Sequence, residues 1–587
     1  MKTAGRRRPA GPALHAALRA APLVTAALLT LPVAVGTAGI VLPFGWLDLL
    51  TGSAGRLDWS RPFGQAVAEF LAAPGIWTSL RVSLTSALAA TLISLLLVLG
   101  LTAAAQGSRL FALLSHAISP LLAVPHAAMA AGLAFLVAPS GWLFRLASPW
   151  ATGLERPPDL LILHDPAGLA LTAGLVVKEV PFLFLMTLAA LPQTDAARRT
   201  LLGRSLGYGR IAAWCAGVAP QLLRQLRLPV LAVLAYGLST VDMAVILGPT
   251  TPPPLAVRCL LWLTDPDLTM RATAAVGAIV LLAATAAGAA MLWLLALLAR
   301  MAWRWWIWQG LRLRRDAPLR RLAVAAAVLV SLLGGGAMLV LLIWSVAGPW
   351  RFPEPLPDSF TLTRFAAHLP QIHEAVLTTL GLALATSGLA LLLTVGCLEN
   401  EARGGGARRP GRALWLLYLP LILPQMSFLF GLQAVAAALG LVPGLLAVAW
   451  AQLLFVLPYT YLSLADPWHA WDRRFGLVAR GLGAGPVRVL LAVKLPMLLA
   501  PLLTAAAVGI AVSTALYLPT ALLGAGRVST LTTEAVTLAS GQDRRLLAVF
   551  AVLQAVVPFL AFGLARLLPA ALHPAGRRSA APPGGSQ

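Results

Sequence analysis

The sequence predicts an all-α polytopic membrane protein, and three observations carry that prediction. Hydrophobic residues make up 59% of the 587-residue chain and charged residues only 11%, with a mean hydropathy of +0.83, whereas soluble domains carry about 25% charge. Apolar stretches of about 20 residues, long enough to cross the hydrocarbon core as helices, recur along the whole chain. The basic residues gather in alternate segments between those stretches, as membrane topology demands.

The stretches run approximately 21–44, 80–104, 114–138, 168–190, 228–248 and 272–299, then 321–346, 375–398, 413–438, 443–465, 498–518 and 546–568, giving twelve in two sets of six. The first follows "MKTAGRRR" as a signal peptide would. Its apolar run exceeds a usual signal core, and "FGWLDLL" offers no small-residue cleavage site, so it is read as a membrane anchor. With the N-terminus inside, the inside segments hold 31 of the 44 basic residues and 6 of the 21 acidic ones. The outside loops hold 12 and 13, with Arg81, Arg321 and Arg566 at span ends counted in the segments they adjoin, leaving Lys178, Glu179 and Asp242 within spans. Basic loops resist translocation, so both termini are expected in the cytoplasm.

This topology accounts for the net charge of +23. A nucleic-acid surface needs basic residues clustered on a solvated domain, and no solvated segment is long enough to form one. Cys215, Cys259 and Cys397 are odd in number and far apart, which supports neither a disulfide framework nor a metal site. His164 with Asp165, and His368 with His373 and Glu374, lack a third ligand at helical or hairpin spacing. No cofactor is expected in the chain.

The two sets of spans resemble each other. "WTSLRVSL" from Trp77 matches "LTTLGLAL" from Leu377 at an offset of 300, and "VPHAAMAAGL" from Val124 matches "LPQMSFLFGL" from Leu423 at 299. "EVPFLFLM" from Glu179 matches "VLPYTYLS" from Val456 at 277. Such repeats suit a transporter built around a central pathway. The expected division is a first unit at 1–299 with a cytoplasmic loop at 191–227, a Trp/Arg-rich linker at 300–320, a second unit at 321–570 with a loop at 466–497, and a disordered tail at 571–587. The linker "RMAWRWWIWQGLRLRRDAPLR" suits a cytoplasmic membrane surface, where indoles sit at headgroup depth and guanidiniums meet lipid phosphate.

In both loops a glycine precedes a proline by thirteen residues, Gly207 to Pro220 and Gly483 to Pro496, at an offset of 276. Each reads as a short helix ended by a left-handed glycine, a turn, and a second helical stretch returning to the bilayer. Leu201, Leu202 and Leu206 can share one face of the first short helix, and Leu477, Val478 and Leu482 one face of the second. An apolar ridge facing the cytoplasm needs a partner or the membrane surface. "GLGAGP" is not a dinucleotide loop, because Pro486 stands where the third glycine belongs and no βαβ unit surrounds it.

These loops resemble the EAA loops of ABC importer permeases, whose pattern is E-A-A, three residues, glycine, nine residues, I-x-L-P. "LVARGLG" with "VKLP" (Leu477 to Pro496) and "LGRSLG" with "GVAP" (Leu202 to Pro220) carry the likeness. The glutamate position holds Leu201 in one copy and Leu477 in the other, and only Ala479 keeps an alanine. The resemblance covers nearly the whole chain: two fused six-helix, type I permease units, similar to the ferric-iron and thiamine branch. It implies coupling helices around Gly207 and Gly483 seated in clefts on two copies of an ATPase subunit. It also implies a separate extracytoplasmic solute-binding protein and transport of thiamine, ferric iron or a similar small solute.

The chain has no P-loop of its own. Its three lysines are Lys2, Lys178 and Lys494, and none is followed by Ser or Thr at the end of a glycine-rich loop. ATP and Mg are therefore expected on the partner, and the chain is not expected to be an enzyme. The outside loops, the longest roughly 35 residues, are too short for a binding domain. Lys178, Glu179 and Asp242 either pair within the bilayer or line the path and favour a cation. A twelve-helix secondary transporter driven by an ion gradient is the rival reading.

Overall fold

The computed structural model describes residues 12–44, 61–403, 411–541 and 543–572. The N-terminal "MKTAGRRR" and all but the first two residues of the expected tail lie outside them. The described residues are helical, with one isolated bridge between Ala347 and Phe360. Among them nine helices are long and apolar enough to cross a membrane, and twelve if each of three sharply bent pairs is one span.

The helices that position the functional sites are numbered here in chain order. In the first half they are α1 (Pro12–Gly39), α2 (Ile76–Ala105), α3 (His126–Val137), α4 (Leu169–Ala190), α5 (Ala196–Ser205), α6 (Arg227–Ser239), α7 (Asp242–Leu247) and α8 (Met270–Trp308). In the second they are α9 (Ala317–Val346), α10 (Leu369–Arg403), α11 (Gln425–Ala438), α12 (Leu445–His469), α13 (Arg473–Gly481), α14 (Leu499–Ala515), α15 (Leu518–Gly524) and α16 (Arg544–Leu572). The apolar runs locate the spanning helices and the glycine loops locate α5 and α13, whereas the sequence merges α7 into the fifth span and α15 begins at the end of the eleventh.

Four expected spans are broken, the eleventh at Leu516 and Tyr517 between α14 and α15. The third stops at Leu122 and restarts at His126 across "AVP", and its counterpart bends by 96° at Leu423–Pro424. Proline supplies no amide donor to the helical ladder, so both breaks fall where Pro125 and Pro424 stand. The fifth span breaks after Ser239, at Thr240, before α7. The Trp-rich segment also differs from expectation. It continues α8 as helix to Trp308, with Trp303 stacked on Trp306 at 4.8 Å, so the connection to α9 shrinks to residues 309–316.

The halves exchange their first helices. α1 packs on α10 and α11 of the second half, and α9 packs on α2 and α3 of the first. Small residues permit both crossings, which pack backbone against backbone as apolar helices do without a solvent driving force. A Cβ at Gly132 would stand 2.5 Å from the Ala337 carbonyl oxygen, and one at Gly431 would overlap the Gly36 carbonyl. Gly132 and Gly431 are the repeat-related positions at offset 299. The sixth spans cross as well, α8 against α11 and α16 against α3. The largest buried cluster draws on both halves, and in it Phe184 of α4, Phe428 of α11 and Phe455 of α12 are fully buried.

Candidate functional site

Two loops, 191–227 and 466–497, carry the clearest repeated geometry. In the first, α5 ends with Leu206 N–H donating to the Leu202 carbonyl, Gly207 N–H to Arg204 and Tyr208 N–H to Gly203. In the second, α13 ends with Leu482 N–H donating to Val478, Gly483 N–H to Arg480 and Ala484 N–H to Ala479. Every donor and acceptor is displaced by 276, and the pattern is a Schellman cap at both ends. The cap needs a left-handed residue, and Gly207 (φ 85°) and Gly483 (φ 82°) supply it.

The caps turn the apolar ridges outward. Leu201, Leu202 and Leu206, and Leu477, Val478 and Leu482, are all between 58% and 84% exposed. Ala479 is half-buried, and its carbonyl serves the cap. Pro220 and Pro496 each stand second in a short helix, Ala219–Gln225 and Leu495–Met497. A missing amide costs nothing there. Beyond them the chain bends by 58° into α6 and by 76° into α14.

The loops are fastened differently. Behind the first, Arg210 donates through Nε to the Ala103 carbonyl (3.1 Å) and through Nη2 to that of Gln106, and Trp214 Nε1 donates to Gln106 Oε1 (3.1 Å). The connection between halves clasps the same loop: Gly209 N–H donates to the Arg312 carbonyl at 3.1 Å and Ile211 N–H to Asp316 Oδ2 at 2.7 Å. Behind the second, the Glu399 carboxylate accepts from Lys494 Nζ at 3.0 Å and Arg403 Nε at 2.7 Å. The Lys494 ammonium also lies 4.0 Å from the Trp468 ring centre and 5.1 Å from that of Trp471. Neither fastening was visible as a motif; the signals were a lone Asp316 among arginines for the first, and a lysine and a glutamate near span ends for the second.

Lys178, Glu179 and Asp242 are all buried, but they do not form one cluster of ion pairs. Lys178 reaches the break before α3, donating to the carbonyls of Leu121, Leu122 (2.9 Å) and Val124. Those carbonyls are free because the helix stops there. Among the described residues no ion pair joins Lys178 to either carboxylate. Glu179 Oε1 instead faces His126 Nε2 at 3.8 Å. Asp242 opens α7 beyond the break in the fifth span, accepting from Thr240 Oγ1 (2.9 Å) and Tyr236 hydroxyl (3.2 Å). The His126 and Tyr236 rings are 4.4 Å apart and link the two carboxylates. Phe182 beside Glu179 meets Tyr459 across the halves at 6.3 Å, and these two residues are repeat-related at offset 277. The site thus lies on a pseudo-symmetric contact, with all three ionisable residues contributed by the first half.

No family model matches the chain. The inner membrane ABC transporter permease protein YnjC of Escherichia coli (strain K12) is 32% identical over 483 residues, covering 82% of this chain and 85% of that protein.

Proposed function

The chain belongs to the ABC transporter permeases, and from that premise we propose that it is the two-unit membrane subunit of an importer. As a permease it is a non-catalytic membrane component, and the ion-driven secondary transporter gives way to this reading. Residues 1–299 and 321–570 form the two units, placed in a bacterial inner membrane with both termini in the cytoplasm. α5 and α13 are the coupling helices, each seated in a cleft on one of two ATPase subunits that hold ATP and Mg. A separate extracytoplasmic protein delivers the solute.

The pair of superimposable glycine caps presenting exposed leucine ridges carries this reading. Exposed apolar side chains on a polar helix are costly unless a partner covers them, and their recurrence at one offset favours two equal partners. Isolating the chain from its native membrane tests it. A P-loop ATPase and an extracytoplasmic binding protein are expected to co-purify, and ion-driven uptake by the chain alone would overturn the proposal.

Glu179 and Asp242, with His126, Tyr236 and Tyr459 near them, form the part of the path that selects the solute. Lys178 is committed to backbone carbonyls, which leaves a surplus of carboxylate and aromatic faces suited to a cation. Thiamine or ferric iron fits that description. Uptake of the cationic substrate is expected to fall at least tenfold in Glu179→Gln and Asp242→Asn, and unchanged uptake of every cation tried would sink this part.

A further inference from the structure

A cavity of about 670 Å³ lies on the cytoplasmic side of the second half, between the ends of α10 and α12 and the loop carrying α13. Arg403, Trp468, Trp471, Arg473, Arg480 and Lys494 line it. Glu399 is the one carboxylate among the lining residues, and Lys494 and Arg403 already share it. The wall therefore keeps an excess of positive charge. It also holds three buried N–H donors, Arg403 Nη1, Trp468 Nε1 and Trp471 Nε1, with no acceptor among the described residues. Folded proteins leave few such groups unpaired, and each points to a water or ion.

The first half separates this feature from the needs of the loop. At the positions of Glu399 and Lys494, displaced by 300 and 276, it has Leu99 and Val218, and its coupling loop stands with the same cap. Arginine forks and indole N–H groups at the cytoplasmic membrane surface match the oxygens of a phosphate. We propose that this cavity binds a phosphate-bearing anion behind the second coupling helix, whatever engages that helix from outside. The anion is either the headgroup of an anionic lipid or a free cytosolic phosphate.

The full chain in phosphatidylcholine nanodiscs, titrated with inorganic phosphate by calorimetry, tests the soluble source. Nanodiscs doped with phosphatidylglycerol, read by native mass spectrometry, test the lipid. One anion per chain is expected, with affinity about tenfold weaker in Trp471→Phe and in Arg480→Gln, as loss of one charge-assisted hydrogen bond gives. Both variants leave the Glu399–Lys494 pair intact. In the unmutated chain the bound anion is expected to slow phenylglyoxal modification of Arg480. Retention of phosphatidylglycerol alone assigns a lipid, and phosphate titration assigns a soluble ligand. No binding of either probe above the phosphatidylcholine background, or variants that bind like the parent, would overturn the proposal.

Discussion

The two glycine-capped loops present the same surface by different means. The first is clasped by the connection between halves, through Arg312 and Asp316. The second rests on the buried Glu399 and Lys494 with the half-buried Arg403, under two indoles. What the repeat keeps is the outward part, the cap and the ridge. What it lets diverge is the inward part. Such a division fits a requirement imposed from outside, by a partner that grips both loops alike, while each half solves its own packing.

The largest expected effect is on the second fastening. Lys494 and Glu399 are 4% and 7% exposed, so Glu399→Ala strands a buried ammonium and is expected to cost about 3–5 kcal/mol, measured by chemical unfolding in detergent. Glu399→Leu with Lys494→Met, approaching the apolar pair of the first half, is expected to recover most of that loss. If the double change is as damaging as the single one, the two loops are not interchangeable in the way argued above.

A glycine pair gives a sharper contrast. Gly209 and Gly485 are repeat-related at offset 276, and both have ordinary negative φ. A Cβ at Gly209 would fall on the Leu313 carbonyl oxygen, whereas one at Gly485 meets nothing within 4 Å. Gly209→Ala is expected to cost about 1–3 kcal/mol and to speed tryptic cleavage at Arg312–Arg315, because the clasp must open. Gly485→Ala is expected to change stability by no more than about 0.5 kcal/mol. The cap glycines should behave alike instead: Gly207→Ala and Gly483→Ala are each expected to cost about 1 kcal/mol, since both force a side chain into the left-handed region. Hydrogen exchange at Tyr208 and Ala484 would report the loosened caps.

The spans, the repeat and the two caps were legible in the sequence, because bilayer crossing needs apolar length and a Schellman cap needs glycine at one position. The exchange of α1 and α9 between halves was not, since an apolar helix carries little record of which neighbour it meets. Small residues such as Gly36, Gly39, Gly132, Ala337 and Gly431 mark those crossings, and small residues are common in such helices. The charges showed the same limit. Lys178 and Glu179 stood out by lying within a span, but the partner of Lys178 is a helix break that exists only once the fold does. Glu399 and Lys494 are 95 residues apart, and no local pattern joins them.

Under the proposed function each of the two matched ridges holds one ATPase. The direct measurement is the number of ATPase subunits that co-purify with the chain carrying Leu206→Asp, Leu482→Asp or both, at exposed positions where folding should be unaffected. Two per chain are expected with the unmodified protein, one with either single substitution and none with both. Two ATPases retained by the double variant would contradict the account.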